Sequence, residues 1–140
     1  MNTEAYTFFA GKYDGFMRDI PYEKWAGNIA AVLTSFGVGP ESEVLELGCG
    51  TGRFTAQLSE YDFKMCGIDL SPSMIKIAKH KHPGIEFKTA DMTEYHDDGR
   101  YSAIVSVCDS INYLAGSEAL TSMFACAARN LKKGGIFVFF

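Results

Sequence analysis

The chain predicts an α/β fold: a doubly wound, mostly parallel sheet with helices on both faces, three layers deep. Three observations predict it. Short apolar runs alternate with segments of helical periodicity along most of the 140 residues. One such run, Val44-Leu45-Glu46-Leu47, passes straight into glycines at 48, 50 and 52 and then into a helical pattern; strand, glycine turn and helix in that order form a ligand-binding turn of open α/β sheets. Asp69 closes the next apolar run, 21 residues past Gly48, where such sheets carry an acidic group at the end of the second strand.

Taken in order, Met1 to Ile20 has Tyr6, Phe9, Ala10, Tyr13, Phe16 and Met17 at helical spacing, an amphipathic helix. Pro21 interrupts it, since proline restricts the residue before it. Tyr22 to Phe36 is the strongest helical pattern, with Trp25, Ile29, Val32, Leu33 and Phe36 as its apolar stripe and Gly37 and Gly39-Pro40 as its stop. After the glycine turn a helix runs to about Glu60, and Phe63 to Ile68 forms the second strand. Ser71 and Pro72 supply an N-cap and a first-turn proline for a helix to about Lys81, which packs Met74, Ile75 and Ala78. That cap leaves Asp69 available to a ligand. Ile85 to Thr89 alternates as a third strand and leads into Ala90-Asp91-Met92. His96-Asp97-Asp98-Gly99-Arg100 reads as a solvated turn. Tyr101 to Val107, rich in β-branched residues, is a fourth strand. Ser117 to Leu131 is a helix with Leu120, Met123, Phe124, Ala127, Ala128 and Leu131 on one face; Lys132-Lys133-Gly134-Gly135 ends it, and Ile136 to Phe140 begins a fifth strand.

Composition narrows the function. The size suits one domain. No apolar run approaches the roughly 20 residues of a membrane span, and Met1-Asn2-Thr3-Glu4 does not open as a signal peptide does; the expected location is cytoplasmic. Cys49, Cys66, Cys108 and Cys126 lie far apart without metal-ligand spacing, so neither a zinc site nor a disulfide framework is indicated. A net charge of −4 argues against a nucleic-acid partner. The one basic cluster, Lys76, Lys79, His80, Lys81 and His82, falls at a helix end, where it complements the dipole.

The glycine spacing selects among nucleotide-like ligands. A dinucleotide fingerprint has its third glycine three residues after the second; here it comes after two, and Arg53 occupies the dinucleotide position. With Glu46 two residues before Gly48, the pattern E-x-G-x-G-x-G resembles motif I of the class I S-adenosylmethionine (SAM) dependent methyltransferases of small-molecule type. Leu131-Lys132-Lys133-Gly134-Gly135 resembles the element that precedes strand five in that family. The resemblance covers essentially the whole chain. It implies a Rossmann-like fold, SAM as cofactor and a small-molecule methyl acceptor, with no metal. It divides the chain into an N-terminal helical lid or cap, 1–40, in which Tyr6, Tyr13 and Asp14 fold over the cofactor, and a SAM-binding core, 41–140.

The resemblance also assigns roles. Tyr13, Trp25, Glu46, Gly48, Cys49, Gly50, Gly52, Asp69, Leu70, Asp91, Met92 and Cys108 are the expected cofactor-binding residues. Asp69 accepts from the ribose hydroxyls, Asp91 from the adenine amino group, the Met92 N–H meets a ring nitrogen, and Trp25 approaches the sulfonium, where an indole face attracts a cation. Asp109, Asn112 and Tyr113, after strand four, are the catalytic candidates. The expected reaction is in-line displacement of the sulfonium methyl by a nitrogen, oxygen or carbon nucleophile, driven mainly by proximity. Family members continue past strand five in sheet order 3-2-1-4-5-7-6, so the expectation is a fold truncated after strand five, a fragment or a chain that covers this edge by self-association. Two other classes remain open: a SAM-binding module without catalysis, and a nicotinamide-dependent oxidoreductase.

Overall fold

The computed structural model describes residues 21–106 and 116–139. Its elements are α1 (Tyr22–Ser35), β1 (Glu43–Leu47), α2 (Arg53–Ser59), β2 (Lys64–Asp69), α3 (Pro72–Lys81), β3 (Glu86–Thr89), β4 (Tyr101–Ser106), α4 (Gly116–Asn130) and β5 (Leu131–Phe139). The strands form one sheet in the order β3-β2-β1-β4-β5, parallel throughout. Among the described residues no helix is long and apolar enough to cross a membrane.

Strand alternation builds the two outer layers. Val44, Met65, Ala103 and Val105 face α1 and α2 and pack on Ile29, Leu33, Phe54 and Leu58. Leu45, Leu47, Cys66, Ile68 and Ile104 face the other way, onto Met123 and Ala127 of α4. Ile75 and Ala78 of α3 pack with Phe87 and Cys49. Helices α2 and α3 are the crossovers from β1 to β2 and from β2 to β3. The chain then passes to the far side of β1 through 90–100, a connection with no helix. The reversal of winding falls between β1 and β4, and ligands of such sheets bind at that point, outside the carboxyl ends of the strands.

Three details depart from the sequence expectation. In α1 the buried face is Tyr22, Ala26, Ile29, Ala30 and Leu33; Val32 and Phe36 are 38% and 68% exposed. Two small alanines on this face let the helix lie close to α2. In α4 the buried face is Met123, Cys126, Ala127 and Asn130, with Phe124 and Ala128 exposed. Asn130 is buried because its amide is satisfied: Oδ1 accepts from the Asp97 N–H at 2.7 Å and Nδ2 donates to the Tyr95 carbonyl at 2.9 Å. Strand β5 begins at Leu131, where a glycine stop was expected, and a register shift separates the Tyr101–Leu131 pair from Ala103–Ile136. Gly134, at φ +82°, lies in that irregular stretch.

The polar loop before β4 is a solvated turn at His96, Asp98 and Gly99, as expected, but its last residue is tied to the sheet. Arg100 donates to Glu43 at 3.1 Å, Glu86 at 3.0 Å and Asp97 at 2.7 Å. Glu43 and Glu86 begin β1 and β3, so one guanidinium ties the amino ends of three strands, its own β4 included. It also lies 4.9 Å from the centre of the Tyr101 ring.

Candidate functional site

At the opposite end of the sheet, β1 runs into the glycine turn. Gly48, Gly50 and Gly52 have φ of +70°, +57° and +85°, left-handed values costly for other residues. The turn is pinned to β2 by the Cys49 N–H, which donates to the Ile68 carbonyl at 2.9 Å, and closed on itself by Gly52 N–H to Cys49 carbonyl at 3.0 Å. It is also pinned by Asp69: the Gly50 N–H donates to Asp69 Oδ2, and the Ser71 N–H to Asp69 Oδ1, each at 2.9 Å. Ser71 does cap α3, accepting from the Met74 N–H at 3.3 Å, but Asp69 is not left idle by that cap, as the sequence suggested. It is 3% exposed and holds both its own turn and the glycine turn.

Asp69 pairs with Thr89 across β2 and β3, and its carbonyl accepts from the Ala90 N–H at 3.0 Å. This brings the start of the next loop beside it. There Asp91 Oδ1 accepts from the Thr93 N–H at 2.8 Å and the Thr93 hydroxyl at 2.6 Å, so the carboxylate is oriented by its own turn. Met92 is half-buried against the α4 side of the core, and Leu70 is 57% exposed just past Asp69. The glycine turn, Asp69, Leu70, Asp91 and Met92 thus lie at the carboxyl ends of three adjacent strands.

Glu46 points into the layer between the sheet and α2. It is 2% exposed, and its carboxyl accepts from the Thr55 hydroxyl. Burial is the main reason its carboxyl is pushed up to about 8; Thr55 opposes the rise and Asp69 adds to it. Burial, with Glu46 and Asp69 nearby, likewise holds the Cys49 thiol protonated. Trp25 is half-buried and meets Tyr22 edge-on, with ring centres 6.1 Å apart. Tyr22 in turn meets Phe54 and lies under the Arg53 guanidinium at 4.8 Å, so the first turn of α1 adjoins the residues just after Gly52. Tyr13, Cys108, Asp109, Asn112 and Tyr113 lie outside the described residues. Among the described residues no cluster of ligating side chains could hold a metal ion.

Two residues of the site have no motif to announce them. Phe87 pairs with Gly67 across β3 and β2. A Cβ on Gly67 would come within 2.9 Å of Cys49 and of Phe87, and one on Gly52 within 2.7 Å of Phe87. The Phe87 ring is the floor on which the turn rests. Thr55 is the second; a hydroxyl in the first turn of a short helix, nine residues past a strand carboxyl, gives no signal without the fold.

The chain matches a family model described as a methyltransferase domain over residues 44–135. A putative methyltransferase of Bacillus subtilis, YqeM, is 38% identical over 138 residues, covering 96% of this chain and 54% of that protein. The dTDP-3-amino-3,4,6-trideoxy-alpha-D-glucopyranose N,N-dimethyltransferase of Streptomyces venezuelae is 31% identical over 132 residues, covering 92% and 55%. Among solved structures, an S-adenosylmethionine-dependent methyltransferase from Clostridium acetobutylicum superposes with a TM-score of 0.82 at 30% identity, covering 96% of this chain and 56% of that one. The chain spans about half the length of the curated relatives it matches. The match takes in the glycine turn, Asp69, Asp91 and the strands that carry them, and on it the chain belongs to the methyltransferase-domain family.

Proposed function

We propose that the protein transfers a methyl group from S-adenosylmethionine to a nitrogen, oxygen or carbon nucleophile of a small-molecule acceptor. The observation that carries this reading is the buried Asp69 carboxylate, which holds Gly50 of the turn at 2.9 Å from the end of the neighbouring strand. A turn without Cβ atoms beside a fixed carboxylate suits a nucleoside whose ribose hydroxyls donate to that carboxylate and whose amino-acid tail lies along the backbone. Relatives named as sugar N,N-dimethyltransferases in two Streptomyces species support a small-molecule acceptor.

When bound, SAM supplies a methyl group activated on a sulfonium sulfur. The residues assigned to hold it are Gly48, Cys49, Gly50 and Gly52 with Glu46 beneath them, Asp69 and Leu70 at the ribose, and Asp91 with the Met92 N–H at the adenine. Tyr13, Trp25 and Cys108 would close round the remainder, with 1–40 as the lid or cap and 41–140 as the core. Asp109, Asn112 and Tyr113 would orient the acceptor after β4, with Asp109 as the candidate general base; an amine acceptor needs only to be desolvated and aligned. The reading includes a cytoplasmic setting, supported by three buried free thiols at Cys49, Cys66 and Cys126. It also includes self-association along β5, which is an edge among the described strands and carries Phe137 and Phe139 stacked with Phe124; sedimentation of wild type and Phe139→Lys tests that part.

Calorimetric titration with SAM, S-adenosylhomocysteine and NAD tests the reading, on wild type and Asp69→Ala. Saturable binding of both sulfur ligands, lost in Asp69→Ala and absent for NAD, is the expected result. Binding of NAD alone would overturn it. Methyl transfer from labelled SAM to amino-sugar, phenol and carbon-acid acceptors then separates an enzyme from a SAM-binding module.

A further inference from the structure

The carboxyl of Glu46 is buried on the same face of the sheet as Asp69. Glu46 pairs with Gly67 across β1 and β2, and Gly67 and Asp69 alternate to the same side of β2. Asp69 is fixed as an acceptor of two backbone N–H bonds, an arrangement that suits its charged form. Two carboxyl groups in one water-poor layer resist ionising together. The groups that face Glu46 are few. From α2 comes the Thr55 hydroxyl, which favours the anion; from β2 comes Asp69, which disfavours it. The turn contributes the protonated Cys49 thiol. The β4 partner in register, Val105, is apolar, and α1 adds Ala26, Ile29, Ala30 and Leu33 together with the Tyr22 phenol, which lies under the Arg53 guanidinium of α2.

We propose that Glu46 is a proton-release site coupled to cofactor binding: a neutral acid in the free protein that ionises when a cationic ligand settles on the glycine turn. The inference rests on the SAM reading. SAM carries a sulfonium beside a zwitterionic amino-acid tail, and the net positive charge that it brings to the turn lowers the cost of the Glu46 anion. The O–H bond of the Glu46 carboxyl breaks, its electron pair stays on the carboxylate, and the proton passes to the buffer. No other reactant is needed. Raised burial energy is thereby converted into pH-dependent affinity, with SAM binding tightening as pH rises toward about 8. S-adenosylhomocysteine, which lacks the sulfonium charge, drives less release.

The test is calorimetry of SAM binding at about pH 7 in buffers of different ionisation heat. The α-ammonium of the ligand titrates in the same range, so the quantity read is the difference between wild type and Glu46→Gln. Gln keeps an oxygen for Thr55 and mimics the protonated acid. Wild type is expected to release a proton fraction that Glu46→Gln does not, and its affinity to rise by up to about tenfold per pH unit below about pH 8, an added slope that Glu46→Gln lacks. Thr55→Val, which removes the bond that favours the anion, is expected to move the midpoint to higher pH, and it decides the matter if Glu46→Gln does not fold. Equal proton release by wild type and Glu46→Gln, or an unmoved midpoint in Thr55→Val, overturns the proposal alone. Absence of any saturable SAM heat overturns the SAM reading and this inference with it.

Discussion

The ring of Phe87 fills the space that a Cβ on Gly52 would need, with its Cζ 2.7 Å from that position. The same ring comes within 2.9 Å of a Cβ built on Gly67, which Cys49 also crowds. One side chain from β3 thus sets how closely the glycine turn approaches β2.

Gly67→Ala is therefore expected to overpack the layer and to destabilise the fold by about 1–3 kcal/mol. Gly52→Ala adds a left-handed φ of +85° to its clash, about 1–2 kcal/mol of backbone strain. Both should weaken SAM binding, because the turn must move away from Asp69. Combining Gly67→Ala with Phe87→Leu should recover part of the loss in a double-mutant cycle by chemical denaturation; strictly additive losses would mean that the ring is not the obstruction.

Glu46→Gln should change stability with a definite sign. The folded carboxyl holds its proton to about 8 against an ordinary value of 4.5. Between those values the folded state binds the proton and the unfolded state does not, so stability falls as pH rises, by about 1.4 kcal/mol per pH unit for one linked proton. Glu46→Gln removes that slope. Urea denaturation from acid to alkaline pH is expected to show the variant gaining on wild type as pH rises, and a constant difference would refute the linkage.

Arg100→Met should separate stability from ligand binding. Arg100 holds the Glu86 and Asp97 carboxyls below their ordinary values, so its contribution is present above those values and lost as pH falls through the depressed ones. The expected cost is about 1–3 kcal/mol near neutral pH, for a partly buried guanidinium with three carboxylate partners, and it shrinks in acid. SAM affinity, measured well below the melting temperature, should stay within about twofold, since the contacts lie at the far end of the sheet; a larger change would show that the two ends are coupled.

Ser71→Ala removes the acceptor of the Met74 N–H at the start of α3 and should cost about 1 kcal/mol. Asp69 remains to accept from the Ser71 N–H, so ribose recognition should survive. Loss of SAM binding in this variant, with the fold intact, would mean that the cap and not Asp69 orders the ligand.

Much of this was legible in the sequence because it is written locally. The glycine turn, the Ser71-Pro72 helix start and the β-branched β4 each lie in one short stretch, and the sheet order came with the family resemblance. The non-local parts were hidden. Arg100 looked like a loop residue because its partners, Glu43 and Glu86, come from two other strands. Asn130 gave no signal, although it is a buried amide that binds Asp97 and Tyr95. The stripe of α1 differs at Val32 and Phe36, since periodicity shows that a helix is amphipathic without saying which residues its neighbours cover. Cys108, Asp109, Asn112 and Tyr113 fall outside the described residues and stand on the family resemblance.

The sheet order also sets a timetable for synthesis. β1 is the middle strand, yet one of its neighbours, β4, is made long after it, whereas β2 follows within a few residues of α2. At ribosomal speeds, the second edge of β1 stays open for roughly 3–10 seconds while α2, β2, α3 and β3 are completed. During that interval the nascent chain presents Val44 and Leu45, both fully buried at the end, along a strand with one open edge. A strand that ends in the middle of the sheet is thus open to wrong partners for part of its synthesis, and a chaperone would shield it there.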